Sequence, residues 1–374
     1  MKRHSGWLLI SGLVAVTLAH WRGWRRDKAR ADRAAVSNDS RPVVDLQPRV
    51  SILLPAWNEA ANIGPCIESV LGLRYPHVEL VVCAGGDDGT LSSARRYANS
   101  AVMVLEQYPG EGKQRALQRC FEQCSGDIIF LTDADCLLDD DSFERVVAPV
   151  ASGTEEVATG SWRPLDTQLR NPFVLYQWTH NVYLEVVGGE YVSSLVGRNA
   201  AVRRQALEEV EAFQTPVSIG TDLFLSNQLL AAGYPIHFVP DSRVRTRYSE
   251  SVGPYLRQRS RWFRNPVLLS MRNETVTTRG RLSNVRAGSA AVFMLVGPMT
   301  AWVGSRFLAY VWITMAWHLV LGQARTDRLA QMRGVPRLEC GWQYLLFLFY
   351  MVLGWVATAR GFVETLLPWR RWKW

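Results

Sequence analysis

Gly126-Asp127-Ile128-Ile129-Phe130-Leu131-Thr132-Asp133-Ala134-Asp135 decides how the whole chain reads. Ile128 to Leu131 form a short apolar run with no helical period, as a strand buried on both faces does. The run empties into two carboxylates one residue apart. Close acids on a turn repel each other, so a bare pair there costs free energy. A bound Mg2+ or Mn2+ removes that cost, because hard cations take oxygen ligands and combine them with phosphate. An Asp-x-Asp by itself occurs in exposed loops by chance. Behind Ile-Ile-Phe-Leu and Gly126-Asp127, it points to a metal held by Asp133 and Asp135 at a strand end.

Upstream of this stretch, strand and helix alternate. Arg49–Leu54 reads as a buried strand stopped at Pro55, Val78–Cys83 as a second ending in Gly85-Gly86, and Ala101–Leu105 as a third. Helical spacing fills the gaps at Glu59–Leu71, Ser92–Ala98 and Lys113–Gln123. This alternation predicts an α/β fold, a mostly parallel sheet flanked by helices. Ligands of such sheets bind beyond the carboxyl ends of the strands. Polar residues gather at those ends: Asn58-Glu59 after the first, Asp87-Asp88 after the second, Asp133 and Asp135 after the fourth.

The 374-residue chain is long enough to bury a full α/β core. Its apolar residues are unevenly placed, with long runs at both ends, while roughly 48 to 285 reads like a soluble protein. The formal charge is +8. A basic balance suits nucleic acid in some chains, but here Arg clusters beside the apolar runs. The clusters are Trp21-Arg22-Gly23-Trp24-Arg25-Arg26-Asp27-Lys28 and Trp369-Arg370-Arg371-Trp372-Lys373-Trp374. Trp interleaved with cations fits a membrane–water boundary better than a solvated basic tail, so the expected partner is a membrane and not nucleic acid.

Residues 1–21 are then an N-terminal membrane anchor around the apolar Trp7 to Trp21, and 22–48 a linker. No small-x-small site follows the anchor and the heavier charge comes after it, which argues against a cleaved signal peptide. The positive-inside rule places everything after Arg22 in the cytoplasm, at the cell membrane. Ser289–Gly304, Phe307–Gly322 and Gly341–Ala359 close the chain as apolar stretches, the last being the longest and free of charge. Arg325, Arg328, Arg333 and Arg337 mark the loop before it as cytoplasmic. A simple count of spans puts the C-terminal tail outside, against the rule, so one stretch is expected to be re-entrant or interfacial. The six cysteines form no Cys-x-x-Cys pair, which predicts a reducing compartment and no structural zinc.

Two downstream features have bland readings in isolation. Asp222, in Ile219-Gly220-Thr221-Asp222 before the helical Leu223–Ala232, reads as a helix cap. Gln258-Arg259-Ser260-Arg261-Trp262 reads as an interfacial anchor. Taken together in order, these features resemble glycosyltransferase family 2 from about Val50 to Asn265. The likeness is closest to the membrane-embedded branch with a Gln-x-x-Arg-Trp motif, which contains the cellulose, chitin and hyaluronan synthases and ceramide glucosyltransferase. Leu54-Pro55-Ala56-Trp57-Asn58-Glu59 matches the opening strand motif and Gly112-Lys113-Gln114-Arg115-Ala116-Leu117 the Gly-Lys helix. Asp133-Ala134-Asp135 matches the metal motif, and Gly197-Arg198-Asn199-Ala200-Ala201-Val202-Arg203-Arg204 the segment before the acceptor site. Thr221-Asp222 matches the catalytic-base motif, and Gln258 to Trp262 spells Gln-x-x-Arg-Trp.

The resemblance implies a GT-A fold over 49–265 as a cytoplasmic catalytic domain, an interfacial segment over 266–288 and a C-terminal transmembrane region over 289–374. It implies a nucleotide-sugar donor bound by Pro55, Ala56, Asn58, Glu59, Asp88, Lys113 and Asp133, and Mg2+ or Mn2+ on Asp133 and Asp135. It also implies Asp222 as catalytic base, Gln258, Arg261 and Trp262 on the acceptor side, and inversion at the anomeric carbon. Two positions depart from the pattern. Val82-Cys83-Ala84-Gly85-Gly86-Asp87-Asp88-Gly89-Thr90 stands where the family has Val-Asp-Asp-Gly-Ser, so the acid that reads uracil is missing at Cys83/Ala84. Asp87 and Asp88 are the acids left to stand in, and the case for UDP as the carrier weakens. Thr221 replaces the usual Glu before the base. The expected activity is inverting transfer to a lipid or lipid-linked (glycan) acceptor. Few and short apolar segments favour it over a processive polysaccharide synthase, whose polymer tunnel takes more helices. Retention of all three carboxylates argues against an inactive scaffold.

Overall fold

The apolar runs upstream of Asp133 become the middle strands of one mixed sheet. The computed structural model describes residues 4–37, 47–217, 220–272, 278–302, 306–336 and 343–366. In chain order the elements are α1 (His4–Ser37), β1 (Val50–Trp57), α2 (Ile63–Leu71), β2 (Val78–Gly85), α3 (Thr90–Arg95), β3 (Val102–Glu106), α4 (Gly112–Gln123), β4 (Ile128–Leu131), β5 (Cys136–Leu137) and α5 (Asp140–Ala151). There follow β6 (Val157–Pro164), α6 (Pro172–Val187), β7 (Tyr191–Val192), β8 (Ala200–Arg203), α7 (Arg204–Glu209), α8 (Thr221–Ala231), β9 (Ile236–Thr246), α9 (Val252–Arg272), α10 (Thr278–Trp302), α11 (Arg306–Met332) and α12 (Gln343–Leu366). The chain divides into two units. One holds Asn38–Asp166 and Gly188–Arg247, the other Met1–Ser37, Thr167–Val187 and Tyr248–Trp374.

The first unit contains the sheet, ordered β3-β2-β1-β4-β8-β6-β9-β5 with β7 on β9. Successive residues of each middle strand enter opposite apolar layers. Ile52 and Leu54 of β1, Val82 of β2 and Phe130 of β4 pack into one layer with α2 and α5. Leu53, Val81, Ile129 and Leu131 pack into the other, with Leu117 of α4 and Leu225 of α8. Burial on both faces is why Ile52–Leu54, Leu80–Ala84 and Ile128–Leu131 are apolar at successive positions instead of every second one. Fully burying one such side chain contributes about 2–3 kcal/mol.

The pairings of β1 with β2 and β4, and of β2 with β3, are parallel, as the alternation predicts. Beyond β4 the pairings are antiparallel except that of β6 with β9: β8 enters between β4 and β6 and runs against both, and β5 and β7 run against β9. No local period announces that insertion. Pro55 lies past the last β1–β4 pair, Leu53 with Leu131, so its missing N–H leaves no gap in that ladder. The start of β4 is anchored as well. The Glu79 carboxylate accepts the Ser51 hydroxyl at 2.5 Å and the Ser125 and Gly126 N–H groups at 2.6 and 3.1 Å.

The second unit is helical. The expected linker over 22–48 begins as helix, because α1 runs on to Ser37; 38–46 lie outside the described residues. What holds that extension is tertiary: Arg325 Nε of α11 donates to Asp27 at 2.7 Å, and Ala31 packs with Leu329 of α11 and Val186 of α6. α9 lies on α12 through Ser260 Oγ, which donates to the Ala357 carbonyl at 2.9 Å, and through the ion pair of Arg264 with Glu364 at 3.1 Å. Among the described residues two helices are long and apolar enough to cross a membrane, Arg306–Met332 and Leu346–Thr365, and Val285–Met299 is a shorter apolar stretch. Cys66, Cys83, Cys120, Cys124 and Cys136 are buried free thiols. Arg337, Cys340 and the tail from Trp369 to Trp374 lie outside the described residues.

Candidate active site

The loops after β1 and β2 are tied into one rim. Asn58 takes a left-handed φ of 57°; its N–H donates to the Gly85 carbonyl at 3.2 Å and its Oδ1 accepts the Asp87 N–H at 3.0 Å. That close approach needs glycine at position 86, since a Cβ there would overlap Asn58. Asp88 is engaged on both oxygens. Oδ1 accepts the Thr90 hydroxyl and N–H at 2.5 and 3.0 Å, and Oδ2 accepts the Ala60 N–H at 2.9 Å. The Thr90 and Ala60 donors hold the Asp88 carboxyl below the usual range. Asn58 and Asp88 therefore shape the rim through the chain's own hydrogen bonds. Pro55 and Ala56 line the strand end below it, and Trp57 stands exposed over Gly85.

Glu59 connects the rim with the Asp-Ala-Asp turn. Its N–H donates to Thr90 Oγ1 at 2.6 Å and its carboxylate accepts Asn62 Nδ2 at 2.7 Å. Burial raises its pKa, the Asn62 bond opposes the rise, and the charges of Asp135, Asp133 and Asp88 add to it. The strand ends thus concentrate negative potential, as acids at a cation site do. Asp133 and Asp135 sit between β4 and β5, on a turn closed by the Cys136 N–H donating to the Asp133 carbonyl at 3.0 Å. The donor set fits a divalent ion. Among the described residues no group of three or more His, Cys, Asp or Glu forms a protein-only cage, so two carboxylates would leave the other positions to diphosphate oxygens and water.

Lys113 joins the metal motif to the fourth carboxylate of the site. From the first turn of α4 its Nζ donates to Asp133 Oδ1 at 2.8 Å and to Asp222 Oδ1 at 3.3 Å. Burial alone would lower the Lys113 pKa, but the Asp133 and Asp222 charges outweigh it and the pKa rises, so the ammonium stays charged. Asp222 lies in the first turn of α8 behind Gly220, whose φ of 66° suits glycine. Its carboxylate turns to Lys113 and also packs over Gly197, where a Cβ would stand 2.6 Å from Oδ2 and nearer still to Oδ1 and Cγ. Asp133 meets a second cation, Arg198 Nη2 at 3.6 Å. Arg198 is itself held by Thr246 Oγ1 at 3.1 Å and by the Trp162 ring at 5.8 Å.

The fold brings together Glu59, Lys113, Asp133, Asp135 and Asp222 within the sheet unit. Gln258, Arg261 and Trp262 lie on α9 of the helical unit, with Gln258 accepting the Ser249 hydroxyl at 3.5 Å. Sequence reasoning passed over Gly197 and Arg198 as site members. Their only signal was membership of the conspicuous Gly-Arg-Asn run.

Comparison with known proteins gives the family and the fold. The family described as glycosyltransferase like family 2 matches residues 48–265. A glycosyltransferase, AglE of Haloferax volcanii, is 26% identical over 67% of this chain and 81% of its own length. An N-acetylglucosaminyltransferase of Azorhizobium caulinodans is 28% identical over 63% of each chain. The poly-beta-1,6-N-acetyl-D-glucosamine synthase of Staphylococcus epidermidis is 24% identical over 57% of this chain and 53% of that one. The chain thus spans just over half to under two thirds of the latter two relatives. Among solved structures, the mannosyltransferase PcManGT from Pyrobaculum calidifontis in complex with GDP-Man and Mn2+ superposes with a TM-score of 0.58 at 22% identity, over 96% of this chain and 99% of that one. At that identity the likeness is one of fold.

Proposed function

The chain belongs to glycosyltransferase like family 2 and has the GT-A fold, and from that premise we propose that it is an inverting membrane enzyme acting on a lipid-linked acceptor. That it is a glycosyltransferase with a nucleotide-sugar donor follows from the family. The finer reading rests above all on Lys113, whose ammonium reaches Asp133 at 2.8 Å and Asp222 at 3.3 Å and so sets the metal motif and an acceptor-side acid around one point.

In this reading 49–265 is the catalytic domain, on the cytoplasmic side of the cell membrane. The segment 266–288 lies at the membrane surface, and 1–21 and 289–374 anchor the chain. Asp133 and Asp135 hold Mg2+ or Mn2+, which when bound offsets the charge that builds on the leaving diphosphate. Pro55, Ala56, Asn58, Glu59 and Asp88 form the rim that receives the nucleotide. Lys113 supplies fixed positive potential beside the diphosphate and orients Asp222. Asp222 accepts the proton of the acceptor hydroxyl as that oxygen attacks C1 from the face opposite the leaving group. General-base help of this kind gives about 10²–10⁴-fold. Gln258, Arg261 and Trp262 serve the acceptor.

The test is a donor screen with the full chain in membranes, offering UDP- and GDP-linked sugars with Mg2+ or Mn2+ and reading released nucleotide and labelled lipid together. One added sugar per lipid supports the proposal. A ladder of products makes the chain a polysaccharide synthase, and nucleotide release without any glycosylated lipid removes the lipid acceptor.

A further inference from the structure

We infer that the helical unit carries an anion subsite, centred on Arg259 and walled by α6, α9 and α12, for the phosphate of a lipid-linked acceptor. The inference rests on the acceptor reading above and names the chemistry of that acceptor. Arg259 stands between two rings of its own helix, its guanidinium carbon 5.9 Å from the Tyr255 centroid and 5.9 Å from that of Trp262. Spacings of four and three residues put all three on one helix face. The rings hold the cation in place without neutralising it.

Arg259 has no ion pair among the described residues. Several acids of the unit are engaged elsewhere: Glu364 with Arg264 and Arg360, Asp27 with Arg325, and Asp327 with Gln323. His180 of α6 brings no further charge, because burial and then the Arg259 cation push its pKa down to about 4. The half-buried guanidinium thus has no ion-pair partner among the described residues. A hydroxyl without a partner accompanies it. Tyr255 is 1% exposed and its Oη makes no hydrogen bond among the described residues. It converges with Tyr176 Oη on Gly354 of α12, where a Cβ would lie 3.7 and 3.8 Å from the two oxygens.

A cation with phenolic hydroxyls free to donate complements a phosphate, which has negative charge and several acceptor oxygens. The source is a lipid and not a soluble anion, because one wall of the subsite is α12, whose Leu346–Thr365 is long and apolar enough to cross a membrane. The phosphate serves as a handle. The attacking hydroxyl belongs to the group it carries, and no bond to phosphorus forms or breaks.

The experiment titrates the full chain, in a neutral detergent, with dodecyl phosphate and separately with inorganic phosphate, followed by calorimetry. Wild type should bind dodecyl phosphate at one site, at least tenfold more weakly in Arg259→Gln and several-fold more weakly in Tyr255→Phe. Arg259→Lys should fall between, keeping the charge but losing the planar stacking. Arg259→Gln binding within twofold of wild type, or inorganic phosphate binding as tightly as dodecyl phosphate, overturns the inference; thermal unfolding of each variant confirms that it is folded. Asp222→Asn should bind dodecyl phosphate like wild type. If that variant transferred sugar normally, the catalytic reading would fail while the subsite stood.

Discussion

Gly197→Ala should disable the enzyme without unfolding it. A Cβ at position 197 would stand 2.6 Å from Asp222 Oδ2, with Oδ1 and Cγ closer. Ordinary contact between such atoms begins near 3.5 Å, so the carboxylate has to retreat by about 1 Å. The atoms that collide are the end of a side chain, not backbone, so Asp222 rotates and the fold stays. An off-rotamer Asp costs only about 0.5–1.5 kcal/mol. The same movement lengthens the 3.3 Å bond from Lys113 beyond hydrogen-bonding range. Misplacing a reacting group by about 1 Å costs on the order of 10²-fold in rate. That corresponds to about 2.7 kcal/mol of transition-state stabilisation. Steady-state nucleotide release with saturating acceptor reads the effect: kcat should drop about a hundredfold, donor KM should stay within a few-fold, and the melting temperature should fall by only a few degrees. The double variant with Asp222→Asn should be no slower than Asp222→Asn alone, because both remove the same function. A Gly197→Ala enzyme within threefold of wild-type kcat would refute the assignment of Asp222.

Lys113→Gln removes the ammonium that lies 2.8 Å from Asp133, so Mn2+ should bind the donor-free protein several-fold more tightly while transfer slows at least tenfold; weaker Mn2+ binding by calorimetry contradicts the role given to Lys113. Chelation should abolish transfer, and added Mg2+ or Mn2+ should restore it in wild type but not in Asp135→Ala, which circular dichroism should show folded; near-normal turnover by that variant removes Asp135 from the metal site. Glu79 supplies a pH test of stability. Burial opposes its charge, but the Ser51 and Ser125 bonds and Arg49 prevail and hold its carboxyl below the usual range. A depressed carboxyl stabilises above the unfolded pKa and loses that contribution as pH falls through the folded one. Glu79→Gln should therefore cost about 1–3 kcal/mol at pH 7 in denaturant unfolding, with the gap to wild type closing as pH falls below the ordinary carboxylate range; a gap that persists in acid counts against the carboxylate.

The site was legible where its signals are local. Burial of both faces makes Ile52–Leu54, Leu80–Ala84 and Ile128–Leu131 apolar at successive positions, and the acids that follow those strands stand out against the runs. The expectation of a metal at Asp133 and Asp135 came from the repulsion of two acids with only Ala134 between them, a property of the local sequence. By contrast, the antiparallel entry of β8 between β4 and β6 depends on where the chain returns after α6, and no period in Ala200–Arg203 encodes it. Asn58 and Asp88 read as donor-binding groups, yet their hydrogen bonds first of all join two loops. The helix through 22–37 read as a polar linker because its stabilising partner Arg325 is 298 residues away.

By itself the sequence determined the strand–helix alternation, the strand-end acids and the apolar ends, all of which follow from periodicity and from charges close together along the chain. Only the tertiary structure decided that Lys113 lies between Asp133 and Asp222, and that the Asp222 carboxylate rests on a position where glycine alone leaves room. The reason is distance. A carboxylate at the start of α8 and an ammonium at the start of α4 interact over a few ångströms on one face of the sheet, and no local pattern records a contact between residues 109 positions apart.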